Sequence, residues 1–432
     1  STGLEPPRAE LDTSFGVSVE AALPASSWQQ HFVLLHLMQP QAYSVPLVLE
    51  LPSGCSAPLV RAALQLLVRR HAVLRTHYVV APSSVSQVIL PADGFVVPLD
   101  ECTEAEWVPS AERVLGSPFA LTKEPPIRAL LMHSSTPIGR LLVHVHHVAT
   151  DFISSRIIRN ELRLSCQALQ RGATPRLPAL PVQYADFTLW QKRQPSDGDA
   201  AALEWWVAKL SGAPRVLELA LDHPRPPVQM APAGAADVHV GRTDADALRR
   251  TCKQQRTTEL SGLLAGWAAL MLQLSQQGEL VLGLPQSVRS HAELERLVGC
   301  FVNTLPLRVS VSAESSFLDA LRHVHEELIQ ALEHAGVPFY SIVEALNPAR
   351  SSSYNPLFQT IVQLLPRESE EEDDLLAMAI AASLASPAGS PPARRAPGLR
   401  KITDAEGHTE DVKGPGVVGQ QPVIAPGEHF TY

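Results

Sequence analysis

Residues 141–155, LLVHVHHVATDFISS, carry the pattern from which the rest of the chain is best interpreted. Residues 141–148 are apolar or β-branched apart from three histidines, and this pattern predicts a buried strand. Thr150 and Asp151 follow the strand, and both residue types are common helix N-caps, so a helix is expected from Phe152 onward. The stretch is therefore interpreted as a strand that turns directly into a helix.

The histidines of this strand are candidates for chemistry. Because side chains alternate along a strand, His144 and His146 are expected on one face and His147 on the other. A single strand histidine is more often a hydrogen-bonded structural residue than a catalyst. Asp151, however, follows His147 at the turn into the helix, where a carboxylate can fix the geometry of a base. The combination indicates acid–base chemistry at this turn.

Composition limits the classes of function. The chain has 432 residues, 45% of them hydrophobic and 18% charged, so it can bury a large core and form two or three domains. Its net charge of -9 argues against nucleic-acid binding, which needs a basic surface. The 5 cysteines form no C-x-x-C pair, as is typical of reduced thiols in a cytoplasmic protein without a metal site. No signal peptide is recognised, and the longest apolar run, residues 260–274, is too short to span a membrane.

Changes in composition divide the chain into four segments. In both central segments strands alternate with helices, which predicts mixed sheets covered by helices, an α/β or α+β fold. The last segment begins with an acidic run and becomes Pro/Gly-rich, which predicts disorder, with a short helix near residues 375–385. The predicted segments are a linker (1–22), an N-terminal lobe (23–180), a C-terminal lobe (181–366) and an atypical, disordered tail (367–432).

Seven segments, in order, resemble motifs of the condensation domains of nonribosomal peptide synthetases. HHVATD at 146–151 is similar to the HHxxxD motif of that family and of the wider chloramphenicol acetyltransferase-like superfamily. Chance would supply one such match, but hardly seven in sequence over roughly residues 22–366. The other six are SSWQQHFVLL (26–35), RHAVLRTHY (70–78), YADFTLWQ (184–191), VGCFVNTLPLR (298–308), HAGVPFYSIVEAL (334–346) and SSSYNPLFQ (351–359).

The resemblance implies two chloramphenicol-acetyltransferase-like lobes in a V shape, with a tunnel between them. Donor and acceptor carrier proteins would insert phosphopantetheine arms into this tunnel, and an amide bond would form between their tethered substrates. No cofactor is then expected on the domain itself, because phosphopantetheine belongs to the carriers. An adjacent adenylation domain of a multidomain synthetase is a further expected partner, and nucleic acid and membrane are not expected partners.

The resemblance also implies roles for individual residues. His147 matches the second motif histidine and is expected to act as general base or to position the amine. His146 and Asp151 are expected to support the site structurally, and Arg289 lies where the family places the partner of this carboxylate. Asn303 is expected to line the tunnel. Neither a metal ion nor a covalent nucleophile is expected.

Two departures from the family pattern leave alternatives open. Phe152 stands where the family has glycine, and its ring could fill the tunnel in front of His147. The tail, residues 367–432, does not resemble the family's final strands and helix. The alternatives are a catalytically inactive docking or scaffold module, and a free-standing coenzyme A-dependent O- or N-acyltransferase of the same superfamily. The later motifs favour the synthetase family over the free-standing enzyme.

Overall fold

The computed structural model describes most of residues 23–365 and three short strands beyond them. Two large hydrophobic cores organise the described chain, one built mainly from the N-terminal half and one from the C-terminal half, and two smaller buried clusters lie beside the first. This confirms the predicted α+β organisation in two lobes. None of the described helices is long and apolar enough to cross a bilayer. The positions not described between residues 23 and 365 are 52–53, 83, 134–138, 194–195, 229–235, 313 and 350.

The first lobe combines a four-stranded sheet with a three-stranded sheet. The elements are β1 (Leu23–Pro24), α1 (Ser27–Met38), β2 (Ser44–Leu51), α2 (Ala57–Arg70), β3 (Thr76–Ala81), β4 (Ser84–Ile89), β5 (Leu99–Thr103), α3 (Trp107–Gly116), β6 (Ile127–His133), β7 (Gly139–His146) and α4 (Phe152–Gln170). The larger sheet has the order β2-β7-β6-β5, with only β5 and β6 parallel, and the smaller has the order β1-β4-β3. Because β7 is an inner strand, residues 141–146 are buried.

Helix α1 is held firmly against the first core. A capping box opens it: Ser26 Oγ accepts the Gln29 backbone N–H at 3.1 Å, and Gln29 Oε1 accepts the Ser26 N–H at 2.9 Å. The Gln29 amide also donates to the hydroxyl of Tyr78 at 3.1 Å. Further along the helix, His36 Nε2 lies 2.8 Å from the carbonyl oxygen of Phe119. The side chains of α1 that face the core therefore have fixed positions.

The second lobe is built around an antiparallel pair of strands. The elements are α5 (Tyr184–Arg193), α6 (Ser196–Leu210), β8 (Asp237–His239), α7 (Arg242–Gln254), α8 (Glu259–Ser275), β9 (Glu279–Ser287), β10 (Val302–Ser310), α9 (Phe317–Glu333) and α10 (Phe339–Leu346). Strands β9 and β10 pair along their whole length, and Ile361 adds a parallel bridge to Gly283. Helices α8 and α9 pack on this pair in the second core.

The described part of the tail consists of three short strands. β11 (Ile402–Thr403) pairs with β12 (Thr409–Glu410), and β13 (His429–Thr431) pairs with β8. The predicted helix near 375–385 lies outside the described residues, as does most of the segment for which disorder was predicted.

Packing crosses the predicted lobe boundary after residue 180. Tyr184 and Phe187 of α5 are buried in the first core, although α5 lies beyond that boundary in sequence. Cys300 and Phe301, which precede β10, belong to the same core. Two segments from the second half of the chain thus pack on the first lobe. The boundary at 180 stays a prediction, and the contact between the lobes lies where α4 begins.

Candidate active site

The strand that carries the histidines ends one residue before His147. β7 ends at His146, and His147–Ala149 form a single 3-10 turn. The His146 imidazole closes this turn, since its Nδ1 accepts the Val148 backbone N–H at 3.1 Å. The backbone N–H of His147 donates to the carbonyl of Tyr43 at 2.7 Å. The prediction that the strand continues to residue 148 was therefore wrong, because the chain enters a 3-10 turn at His147 that the His146 side chain closes.

His144 and His146 lie behind the turn and are fully buried. Both rings contact Phe119, at centroid distances of 4.8 and 6.0 Å, as expected for residues on one face of a strand. Burial lowers the pKa of His144 to about 3 and the pKa of His146 to about 2. Both imidazoles are therefore neutral at neutral pH.

His147 is only partly buried, unlike its two neighbours. Its ring stacks on that of Phe32, with centroids 4.8 Å apart and an interplanar angle of 10°. The Sγ of Cys300 lies 3.9 Å from Nδ1, so this side of the ring faces the protein. Backbone groups of His147 itself and of Thr150 also hydrogen-bond to the imidazole. Burial lowers the pKa of His147, and the charge of Asp151 opposes this shift.

Asp151 is the N-cap of α4 and the centre of a buried polar cluster. Its Oδ1 accepts the Ser154 backbone N–H at 2.7 Å, and its Oδ2 accepts the Phe301 N–H at 2.9 Å. Arg289 donates to both oxygens, at 2.7 and 3.0 Å, and the side chains of Asp151 and Arg289 are 1% and 4% exposed. The pair implied by the family resemblance is thus present. Because both carboxylate oxygens are occupied, Asp151 joins the lobes rather than facing a substrate.

Ser154 also belongs to this cluster, although the sequence analysis did not identify it. Its hydroxyl donates to the carbonyl of Gly299 at 2.8 Å, and accepts the Gly299 N–H at 3.0 Å and an Arg289 N–H at 2.8 Å. Its position three residues after the N-cap Asp151 was the available signal, because backbone N–H groups in the first turn of a helix have no partner within the helix and an N-cap side chain binds one of them.

Gly299 is required by a close approach to Tyr184. A Cβ at position 299 would lie 2.0 Å from Cδ2 and 2.4 Å from Cε2 of the Tyr184 ring. The Tyr184 hydroxyl donates to the carbonyl of Cys300 at 2.7 Å and lies 3.0 Å from Ser26 Oγ. The segment before β10 is therefore held between α4 on one side and α5 on the other.

Phe152, the departure from the family motif, is the first residue of α4 and is partly buried. It is not among the described residues with positive φ, so its backbone conformation does not require glycine. Among the described residues, no ring contact joins Phe152 to His147, and the ring that stacks on His147 is that of Phe32. Tunnel lining by Phe152 in front of His147 stays a prediction.

Asn303 links structural elements. Its amide nitrogen donates to the carbonyls of Ala335 and Val337, at 2.9 and 2.7 Å, and its Oδ1 accepts the Phe339 N–H at 3.0 Å. The indole nitrogen of Trp28, from the first lobe, lies 3.5 Å from the same oxygen. Asn303 is 1% exposed. These contacts account for the residue as a structural link, and tunnel lining stays a prediction.

Comparison with known proteins is consistent with this geometry. A family model for the condensation domain matches residues 19–386, past the predicted end of the second lobe, and a model for the ApaG domain matches residues 400–432. The chain is 33% identical over 376 residues to phosphinothricin tripeptide synthetase PhsB of Streptomyces viridochromogenes, covering 84% of this chain and 31% of that protein. It is 30% identical over 370 residues to malpinin synthetase of Mortierella alpina, covering 83% of this chain and 5% of that protein. The chain thus spans about a third or less of these relatives.

The fold is also found in solved structures. The X-domain from teicoplanin biosynthesis superposes with a TM-score of 0.74 at 25% identity, covering 82% of this chain and 79% of that chain. The described part of the chain therefore has the two-lobed, chloramphenicol-acetyltransferase-like fold. The family match covers most of the chain, and it includes both the turn that carries His147 and the segment that packs against it. From these findings, the chain belongs to the condensation-domain family of nonribosomal peptide synthetases.

Proposed function

We propose that this chain catalyses amide-bond formation between substrates tethered to two carrier proteins. The amine of the acceptor substrate attacks the carbonyl carbon of the donor thioester, a C–N bond forms, and the C–S bond breaks. The surplus proton of the amine passes to the departing donor thiolate, directly or through His147. The observation that supports this proposal most is the state of His147, a partly exposed residue at the turn whose imidazole is kept neutral by burial.

The surrounding residues favour direct transfer over a covalent acyl-enzyme. A neutral imidazole accepts a hydrogen bond at Nε2, so His147 suits either proton removal or orientation of the attacking amine. Cys300 is a nucleophilic residue whose Sγ lies 3.9 Å from His147 Nδ1, but burial raises the pKa of its thiol and the residue is fully buried. The carboxylate of Asp151 is occupied by four hydrogen bonds. His147 is therefore the group we assign to the reacting amine.

The partners follow from the same proposal. The phosphopantetheine arms would be supplied by a donor and an acceptor carrier protein, and this chain would hold no cofactor of its own. An adenylation domain of the same multidomain synthetase would load the acceptor carrier in the cytoplasm. The similarity to PhsB and to malpinin synthetase supports this arrangement, since this chain matches only part of each relative.

Reconstitution with loaded carriers tests the proposal. The purified chain is mixed with pairs of donor and acceptor carriers bearing different aminoacyl groups, and the acceptor is analysed by intact-protein mass spectrometry. We expect condensed product with at least one pair, and its loss in His147→Ala. His223→Ala, at an exposed position in the second half of the chain, is the control and should retain the activity. Product formed equally well by His147→Ala would remove His147 from the mechanism.

A second candidate function is a docking or scaffold module without catalytic activity. Phe152, in place of the glycine of the family motif, is the observation that favours it. The variant Phe152→Gly separates the two functions in the same reconstitution. Activity of similar size in both proteins supports the enzyme, and activity only in Phe152→Gly supports the docking module. Turnover of a soluble acyl-coenzyme A but of no loaded carrier would instead indicate a free-standing acyltransferase.

A further inference from the structure

The ring of Phe32 lies between His147 and a second aromatic residue. It stacks on the imidazole of His147 at 4.8 Å and contacts the ring of Tyr43 edge-on, at a centroid distance of 5.3 Å and an angle of 73°. Such edge-on contacts between aromatic rings are favourable and restrict ring rotation. Phe32 is carried by α1, which is anchored to the core on both sides of this residue, at Gln29 and His36. The ring therefore approaches His147 from a rigid support.

Tyr43 connects this stack to the backbone of the catalytic turn. Its φ is 63°, in the left-handed region that tyrosine rarely adopts, and its carbonyl accepts the His147 N–H at 2.7 Å. A strained residue persists only where its surroundings hold it in place. The contact with Phe32 is one such restraint. Phe32 thus touches the imidazole directly and also the residue that binds the His147 backbone.

We propose that Phe32 is a positioning residue for His147, which covers one face of the imidazole, fixes the ring plane and directs the Nε2 edge toward the acceptor amine. The effect of Phe32 on catalysis rests on the proposed amide-forming function. Its effect on the orientation of the His147 ring does not, because the stacked contact exists without any substrate. Holding a catalytic group in the correct orientation contributes a large part of the rate enhancement in such reactions. An imidazole that is free to rotate would therefore be a less effective base.

Several titratable groups lie on the elements that pack around His147. The negative charge of Asp151 raises the pKa of His147, and Asp151 itself forms an ion pair with Arg289. The other groups are neutral at neutral pH, because burial raises the pKa of a thiol or phenol and lowers that of an imidazole. These groups are His31 and His36 on α1, Tyr43 before β2, His146 on β7 and Cys300 before β10.

Two substitutions separate the contributions of the Phe32 ring. Phe32→Ala opens space and admits water, so the pKa of His147 is expected to rise toward its ordinary value of about 6.5. Phe32→Leu retains most of the apolar volume but removes the aromatic face, so the pKa should change less. In both variants the Cε1–H resonance of His147 should lose the ring-current shift that a stacked phenyl group produces. Leu34→Ala, on an exposed face of α1, is the control and should leave the resonance unchanged.

The experiment is an NMR titration of the full chain with 13Cε1-labelled histidine, in which His147→Gln identifies the resonance. Identical His147 chemical shifts and pKa in the wild-type chain and in both Phe32 variants would overturn the proposal. If Phe32→Ala does not fold, the loss of the ring-current shift in Phe32→Leu still decides it. This measurement needs no carrier protein, so it stands even if the proposed function fails.

Kinetics with loaded carriers test the catalytic part. Phe32→Ala should lower kcat by about 10- to 100-fold, as expected for a misplaced catalytic group, with KM for the carriers nearly unchanged. The acidic limb of its pH profile should move to higher pH together with the pKa of His147. An unchanged kcat in Phe32→Ala, where the wild-type chain forms product, would contradict the positioning role. Absence of product with the wild-type chain would count against the proposed function only.

Discussion

Arg289 of the second lobe donates two hydrogen bonds to Asp151 at the start of α4, with Nη1 2.7 Å from Oδ2 and Nη2 3.0 Å from Oδ1. Both side chains are almost completely buried. The guanidinium carbon also lies 4.2 Å from the centroid of the Phe301 ring, so the cation is covered on one side by an aromatic face. The pair therefore connects the lobes through a site from which water is excluded.

Removal of either partner should destabilise the protein strongly. Asp151→Asn and Arg289→Gln each leave the other group with too few partners, and breaking a buried pair costs about 3–5 kcal/mol in free energy of unfolding. The double variant should lose clearly less than the sum of the two. Urea unfolding measures all three. The exposed Arg249, paired with Asp246, provides the control, since Arg249→Gln should cost at most about 1 kcal/mol. Additive losses would contradict the coupling.

An added methyl group at Gly299 should be poorly tolerated. Because its Cβ would fall 2.0 Å from the ring of Tyr184, Gly299→Ala should lower the free energy of unfolding by about 1–3 kcal/mol or more. Gly266, within α8, has no atom near an added Cβ, so Gly266→Ala should be neutral or stabilise by up to about 1 kcal/mol. Thermal unfolding of the two variants compares them directly. Equal stability would show that the Tyr184 ring moves aside freely.

The amide of Asn303 should contribute more to stability than a surface amide. Asn303→Ala leaves two buried carbonyls and one N–H without this partner, and each lost partner costs about 1–3 kcal/mol. We expect a loss of at least about 2 kcal/mol in chemical unfolding. Asn160→Ala, on the exposed side of α4, is the matched control and should have little effect. A small loss in both variants would mean that water replaces the Asn303 contacts.

The buried histidines should make the protein sensitive to acid. The pKa of His144 is about 3 in the folded chain and about 6.5 when unfolded, so the unfolded state binds more protons between these values. Stability from this residue is complete above pH 6.5 and falls by about 1.4 kcal/mol per unit as the pH drops below it. His144→Leu should reduce the slope of unfolding free energy between pH 6 and 4. His223→Gln, at an exposed position, should leave this slope unchanged. An equal slope in the wild-type chain and in both variants would show that His144 does not cause the acid sensitivity.

Local patterns predicted many elements closely, because their causes lie within a few residues. Helix α4 begins at Phe152, as its N-cap indicated, and β7 includes residues 141–146 of the strand predicted at 141–148. Helix α9 follows the capping box of Ser316 and Asp319. A cap or an apolar period acts through hydrogen bonds and packing between near neighbours, and these are visible in a linear sequence.

The end of β7 was predicted incorrectly from the local pattern. The apolar pattern continues past His146 and therefore extends the strand, but the chain enters a 3-10 turn at His147 that the His146 side chain closes. Phe152 stands where the family motif has glycine, and its place in front of His147 stays a prediction. The residue that stacks on the imidazole is Phe32, more than a hundred positions away. Separation along the chain gives no information about which ring occupies that space.

The sequence by itself determined the family and the α+β class, because these depend on ordered motifs and on the alternation of strands and helices. The pairing of Asp151 with Arg289, 138 residues apart, followed from the family resemblance and not from spacing. Only the tertiary structure decided that Ser154 and Gly299 bind each other, that Asn303 is a buried link, and that Phe32 covers His147. These relationships depend on how two lobes close on each other, and such closure is the sum of many weak contacts between distant segments rather than a property of any one of them.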